Sequence, residues 1–303
     1  ILVPLNVHSQ EIDAFNFRYP KMSQHLWLYE GTTEYFSTLA PLHDSTINEL
    51  VFAKQIVSKL RDEEGIPQNF SLTEFSRNVL TDEYRDIYDK VYTYGAVNAF
   101  LLDILIRESS GGKQGLRDVV WSLMKEFGPN KPFVDDELFD HIERRTSKAV
   151  RAYLDTYVRG SARIPVAEFV GKIGWTYTAE RTKQEPGFGC KPDFNMKNGK
   201  PIITLRATGI DNPLGVVDGD VVTSVEGIPV EQIFTSDDGR KALMKFRKPK
   251  LTDELLVNVL RNGVETPIKG KAVMVNVVER HFIDVNPNPT PEQRELKSSL
   301  YYR

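Results

Sequence analysis

The chain has 303 residues, 40% hydrophobic and 27% charged, with a net charge of −3. That length suits two domains with separate cores, and the near-neutral charge gives no electrostatic argument for nucleic acid or an anionic membrane. No apolar run is long enough to cross a bilayer, and the single cysteine, Cys190, excludes an intrachain disulfide framework.

The chain opens on Ile1-Leu2-Val3-Pro4-Leu5, without Met and without the basic stretch of a signal peptide, as expected of the interior of a longer polypeptide. On that expectation Leu2, Val3 and Leu5 lack their natural partners. Residues 26–36 (LWLYEGTTEYF) follow, apolar and aromatic but carrying Glu30 and Glu34 four residues apart. On a helix the two would share one face. Carboxylates among apolar neighbours are paired with a cation or bind a metal.

Residues 46–63 have apolar positions at close to a 3.6-residue period. Ser71-Leu72-Thr73-Glu74 reads as a capping box. Residues 88–107 predict a long buried helix containing Asp103, ended by Ser109-Ser110-Gly111-Gly112. Helices are also predicted over 115–127, 135–145 and 147–158. The acidic segments Arg61-Asp62-Glu63-Glu64 and Asp135-Asp136-Glu137 read as solvated helix ends.

The pattern changes after Gly160. From Trp175 short alternating runs lie between turn signals, among them Asn198-Gly199, Gly219-Asp220 and Glu226-Gly227. Arg261-Asn262-Gly263 between two apolar runs predicts a hairpin with a type I′ turn. One helix is predicted over 237–246. The expected organisation is a helical unit over 1–165, a connector over 166–174, a mainly β unit over 175–285 and a Pro-rich tail over 286–303 that wraps or frays.

Taken together and in order, three patterns resemble one family. Trp27-x-x-Glu30-Gly31 is similar to the third-ligand segment of zinc peptidases of the thermolysin type. Tyr92-Thr93-Tyr94-Gly95-Ala96 resembles their Tyr-x-x-Gly-Ala segment. Residues 153–160 with Ile164-Pro165, then a β domain carrying Gly219-Asp220 and Glu226-Gly227-Ile228-Pro229, resemble the glycyl aminopeptidase family, in which a PDZ domain follows a thermolysin-like helical domain. The resemblance implies a multidomain protein: an all-α bundle, the C-terminal part of the catalytic domain, then a mainly-β PDZ-like domain. It implies Glu30 as a zinc ligand, Glu34 as its supporting neighbour and Tyr92 as the donor that stabilises the oxyanion. Tyr94 stands where the family often has lysine. A preference for small N-terminal residues and a periplasmic or extracytoplasmic location are further implications. Read without the family, Glu30 is a salt-bridged helix residue and Tyr92 and Tyr94 are core aromatics.

One departure is decisive for activity. The five histidines are His8, His25, His43, His141 and His281, and no His-Glu-x-x-His occurs. The general base and two zinc ligands of the family are absent from this sequence. The expectation is therefore a fragment of a zinc aminopeptidase, inactive and without zinc on its own. The alternative is a non-catalytic peptide-binding adaptor. Gly187-Phe188-Gly189 has the composition of a PDZ carboxylate loop, with residues 237–246 as the opposite wall of a peptide groove. Expected partners are peptide or protein substrates, with no nucleic acid and no membrane span. His8, Glu11 and His25 are candidates for lining a cleft, and Asp220 reads as a turn residue.

Overall fold

The computed structural model describes residues 6–62, 66–197, 200–209 and 211–302. Leu2, Val3, Leu5, the pair Glu63-Glu64 and the turn at Asn198-Gly199 lie outside them. The chain divides into two compact units, Ile1–Ala179 with Arg280–Arg303, and Glu180–Glu279.

Unit 1 is mainly helical. In chain order its helices are α1 (Gln10–Asp13), α2 (Thr32–His43), α3 (Glu49–Arg61), α4 (Leu72–Asn78), α5 (Asp82–Arg85), α6 (Lys90–Ser109), α7 (Leu116–Glu126), α8 (Leu138–Arg145), α9 (Lys148–Tyr153) and α10 (Val166–Lys172). Side chains of Asn48, Ser71 and Ser147 cap α3, α4 and α9 by accepting from backbone N–H groups three residues on. The predicted helix over 147–158 is α9 continued by a π-helical turn, Leu154–Arg159.

The centre of unit 1 is α6. It is apolar on every side from Ala96 to Ile106, and such a helix is stable only when surrounded. It packs against α2, α3, α7, α9 and α10. Its one acidic residue in that stretch, Asp103, is fully buried. The carboxylate accepts from the Tyr35 hydroxyl at 2.7 Å, Leu116 N–H at 2.6 Å and Arg107 Nε at 3.1 Å. A buried charge is tolerable because each oxygen is occupied.

Unit 2 is an antiparallel sheet with one main helix. Strand β1 (Trp175–Gly187), which begins in unit 1, is followed by β2 (Cys190–Lys197), β3 (Lys200–Ala207), β4 (Asp220–Val225), β5 (Ile228–Pro229), α11 (Asp237–Arg247), β6 (Glu254–Arg261), β7 (Val264–Lys271) and β8 (Val273–Val285), which ends in unit 1. The sheet order is β2-β3-β4-β6-β7, with β5 beside β4; β1 and β8 pair separately. The β6–β7 hairpin closes at Arg261↔Val264, and Asn262 and Gly263 both have positive φ, 50° and 81°, as the type I′ turn requires. Leu255, Val257 and Val259 alternate inward on β6 to meet Leu205, Ile233 and Ala242 in the core.

The structure sharpens two expectations. The connector over 166–174 contains α10, whose Val166, Phe169 and Val170 are buried with Ile173 in the unit 1 core. Their spacing is that of one helix face. The tail does not fray: Pro291–Tyr302 forms α12, packed on α6 and α2. Its start is a capping box, with Thr290 N–H donating to Gln293 Oε1 at 2.9 Å and Gln293 N–H donating to Thr290 Oγ1 at 3.3 Å. Pro291 occupies the first helical position, where its missing N–H costs nothing. Glu49 Oε1 then accepts from Trp175 Nε1, Lys297 Nζ and the Tyr301 hydroxyl, and the Leu300 carbonyl meets His43 Nε2 at 2.9 Å.

Candidate active site

The segment carrying Glu30 is clamped before it turns into helix. Asp135 accepts from Ser23 Oγ at 2.6 Å and Gln24 N–H at 2.8 Å. The His25 ring bridges the Asp135 carbonyl (Nε2, 2.7 Å) and the Trp27 indole N–H (Nδ1, 3.1 Å). The indole can only donate, so Nδ1 is the acceptor and Nε2 carries the proton. Burial pushes the His25 pKa down, and the ring stays neutral. Both nitrogens are committed, so His25 shapes the segment and ligates nothing. Asp135 is buried, unlike the exposed Asp136 and Glu137, which corrects its reading as a solvated helix end.

Residues Trp27–Gly31 form a π-helical turn that runs into α2. Thr32 N–H reaches back five residues to the Trp27 carbonyl. Thr32 Oγ1 donates to the Leu28 carbonyl, and Thr33 Oγ1 to the Tyr29 carbonyl at 2.6 Å. The Thr-Thr pair thus serves carbonyls in the stretch where the wider turn disturbs the helical ladder. Such turns recur at functional sites.

The turn crosses α6 at two glycines. A Cβ on Gly31 would lie 2.7 Å from Gly95 Cα and C, and one on Gly95 would lie 2.9 Å from Gly31 Cα. No other residue permits that approach without moving a backbone. Glu30 precedes the first glycine and Tyr92 stands one turn before the second, so the crossing brings them together.

Both are half-buried. Burial is the largest cause of a strongly raised Tyr92 pKa; hydrogen bonding with Tyr88 and the charge and hydrogen bonding of the Glu30 carboxylate raise it further. The Tyr88 and Tyr92 rings meet edge-on at 5.9 Å. The phenol therefore keeps its proton and can donate a hydrogen bond at neutral pH. Tyr94, on the other side of the helix, is buried against Phe70.

Glu34 is an ion-pair partner of Lys59 on α3. His8 and Glu11 lie on another segment: Glu11 Oε1 meets Lys21 Nζ at 3.0 Å, His8 Nε2 is 3.4 Å from Asp13, and Ser9 N–H donates to the Tyr29 hydroxyl at 3.0 Å. Burial pushes the Tyr29 pKa up to about 12. His43, His141 and His281 serve structural contacts with Leu300, Phe127 and Tyr177. Among the described residues no three His, Cys, Asp or Glu side chains converge on a metal-sized point. Glu30 is a lone carboxylate, and one oxygen donor does not hold zinc, so the donor set of this chain does not fit the ion by itself.

In unit 2, Phe188 is buried and stacks on Phe246, with centroids 6.3 Å apart and planes at 6°. Gly189 has φ +68°, and a Cβ there would run into the Asp211 carbonyl. Gly187, Phe188 and Gly189 line a cavity of about 280 Å³ together with Phe246, Arg247 and Val275. Asp220 is structural: it is buried, accepts from Val217 N–H at 2.9 Å and pairs with Arg261 at 2.6 Å, which holds its carboxyl below the usual range.

The sequence motifs located Glu30 and Tyr92. They did not say why glycine follows or accompanies each. The available signal was a glycine inside each of two helical patterns, where glycine is otherwise costly.

Comparison with known proteins bears on residues 5–97, which match the model of the M61 glycyl aminopeptidase family. No curated protein matches the chain significantly. Among solved structures, an aminopeptidase N family protein from Idiomarina loihiensis is similar in fold, with TM-score 0.61 and 17% identity over 95% of this chain and 51% of that one. The chain thus spans about half the length of that structure. The PDZ domain of EpsC from Vibrio cholerae overlaps 28% of this chain and 78% of its own at 13% identity, with a TM-score of 0.20. Residues 5–97, the stretch similar to the M61 glycyl aminopeptidase family, contain Glu30, Tyr92 and both crossing glycines.

Proposed function

We propose that unit 1 forms one wall of the catalytic centre of a zinc-dependent aminopeptidase, and that unit 2 is a PDZ-like domain that binds peptide. The observation carrying the first part is the Gly31–Gly95 crossing, which sets the Glu30 carboxylate beside the Tyr92 phenol. Glu30 offers one anionic oxygen donor to a zinc ion whose other ligands come from residues outside this sequence. A zinc ion held there with those further ligands would supply Lewis acidity at the scissile carbonyl. Tyr92, held protonated, donates to the oxyanion that develops on the scissile carbonyl. Glu34 fixes the helix behind Glu30 through Lys59. Trp27, His25 and Asp135 hold the turn in register.

The peptide-binding part rests on β2, which lies at the edge of the sheet, and on the Gly187-Phe188-Gly189 loop beside α11. On this reading the 303-residue chain is inactive alone. The lone-carboxylate donor set also favours a second reading, a peptide-binding adaptor that has lost catalysis.

Zinc stoichiometry separates the two. The longest natural polypeptide containing this chain should bind one zinc and hydrolyse a glycyl anilide, and Glu30→Gln should lower both. The chain alone should do neither. A natural polypeptide with no zinc and no hydrolysis leaves the adaptor reading in place.

A further inference from the structure

If the catalytic reading of unit 1 holds, a second phenol stands at its centre. The chain enters α6 through α5 and the turns that follow it. Hydrogen bonds spanning three residues tighten this stretch. Ile87 N–H donates to the Tyr84 carbonyl at 3.2 Å, Lys90 to Ile87 at 3.0 Å, Val91 to Tyr88 at 3.2 Å and Tyr92 to Asp89 at 3.1 Å. Tyr84 and Ile87 pack against the unit 1 core, and the Tyr84 ring meets Phe75 edge-on at 5.4 Å. These anchors fix the backbone that carries Tyr88.

Tyr88 lies one turn before Tyr92. Their rings meet edge-on, with centroids 5.9 Å apart and planes at 70°. Their hydroxyls are in hydrogen-bonding contact, and the Tyr92 hydroxyl also meets the Glu30 carboxylate. Three polar groups therefore converge from two elements: Glu30 from the π-helical turn, Tyr88 and Tyr92 from the approach to α6 and its first turn. Tyr88 keeps 37% of its surface in water, so its hydroxyl can rotate without breaking a core contact.

The chemistry of the three groups differs. A phenol has one proton and can also accept, whereas an ionised carboxylate only accepts. Tyr92 has two acceptors within reach and one proton to give. To donate to a substrate carbonyl it must release both. Glu30 cannot then become its donor, but Tyr88 can, by rotation about its C–O bond. A hydroxyl that accepts one hydrogen bond is a stronger donor in the next.

We propose that Tyr88 is a positioning residue for Tyr92: its hydroxyl donates to that of Tyr92 and directs the Tyr92 proton toward the scissile carbonyl. Tyr88 acts only through Tyr92, and the edge-on ring contact holds the pair in register.

The test is a double-mutant cycle in the longest natural polypeptide containing this chain, with a glycyl anilide as substrate. Tyr88→Phe keeps the ring and removes the hydroxyl. It should lower kcat about three- to tenfold at unchanged KM. In the Tyr92→Phe background the same substitution should cause no further loss, because the group it serves is gone. An unchanged kcat in Tyr88→Phe, or equal losses in both backgrounds, overturns the inference and leaves the Tyr92 assignment standing. No effect of Tyr92→Phe, or no hydrolysis by the unaltered polypeptide, removes both. A second readout needs no activity. In the 303-residue chain with isotope-labelled tyrosine, Tyr88→Phe should move the Cζ resonance of Tyr92 and leave that of Tyr153, bonded to Asn98 in the core, in place. The phenylalanine ring preserves the ring current, so the movement reports the hydroxyl contact. An unmoved Tyr92 resonance overturns the inference by itself.

Discussion

Gly31 and Gly95 in unit 1 have ordinary helical backbone and no room for a Cβ, whereas Gly263 in unit 2 has φ +81° and open space around it. The first pair is there for proximity and the second for conformation. Their buried charges differ in the same way. Asp103 and Arg107 in unit 1 are both almost fully enclosed, while Arg261, the partner of Asp220 in unit 2, keeps about a quarter of its side chain exposed. Unit 1 places chemistry by forcing helices together around polar groups. Unit 2 leaves an edge strand and an apolar face open.

The largest test of that difference is Asp103→Ala. It strands Arg107 and the Tyr35 hydroxyl in the core and should cost unit 1 about 3–5 kcal/mol. All three tryptophans, Trp27, Trp121 and Trp175, lie in unit 1, so their fluorescence reports its melting separately. Hydrogen exchange of β6 and β7 should be unchanged. Loss of protection there would show that the units do not fold separately.

High pH comes next. All twelve tyrosines lie in unit 1, and burial raises Tyr29 to about 12 and Tyr35 and Tyr153 well above their ordinary 10.0. Above pH 10 the unfolded chain releases these protons first and binds fewer than the folded one. Stability is therefore complete below pH 10 and falls as pH rises toward the folded values, by roughly 1.4 kcal/mol per unit for each such tyrosine. Unit 2 has one comparable group, Cys190, raised by burial from 9.0 to about 12. Unit 1 should unfold first in an alkaline titration followed by tryptophan fluorescence and hydrogen exchange.

Gly31→Ala should cost about 1–3 kcal/mol through overlap with the Gly95 backbone. Gly263→Ala should cost about 1–2 kcal/mol through its positive φ alone. Only the first should alter the tyrosine titration at Tyr92. A smaller effect, about 0.5–1.5 kcal/mol, is expected of Glu49→Gln, which keeps an acceptor but removes the charge that Lys297 meets. It should appear as faster exchange in α12.

The parts legible in the sequence were those set by local pattern. The all-round apolar run of α6, the Asn262-Gly263 turn and the two motifs bearing Glu30 and Tyr92 each declare themselves within a few residues. What escaped depends on contacts distant in sequence. Gly31 and Gly95 reveal their purpose only when the helices cross. Asp135 looks like any acidic helix start until Ser23 and Gln24 arrive from the far end of the unit. The helix in the tail escaped for another reason: four nearby prolines and asparagines masked the Thr290-Pro291-Glu292-Gln293 capping box, which was readable. Glu34 resembles a supporting carboxylate by spacing alone, yet its partner is Lys59 on a different helix.

The measurement that bears most directly on the central claim is the kinetics of Tyr92→Phe in the longest natural polypeptide containing this chain. In the proposed role the phenol acts on charge that develops in the transition state. Its loss should lower kcat about 10²–10³-fold with little change in KM, zinc content or tryptophan-monitored stability. An unchanged kcat would contradict the role assigned to the Glu30–Tyr92 pair.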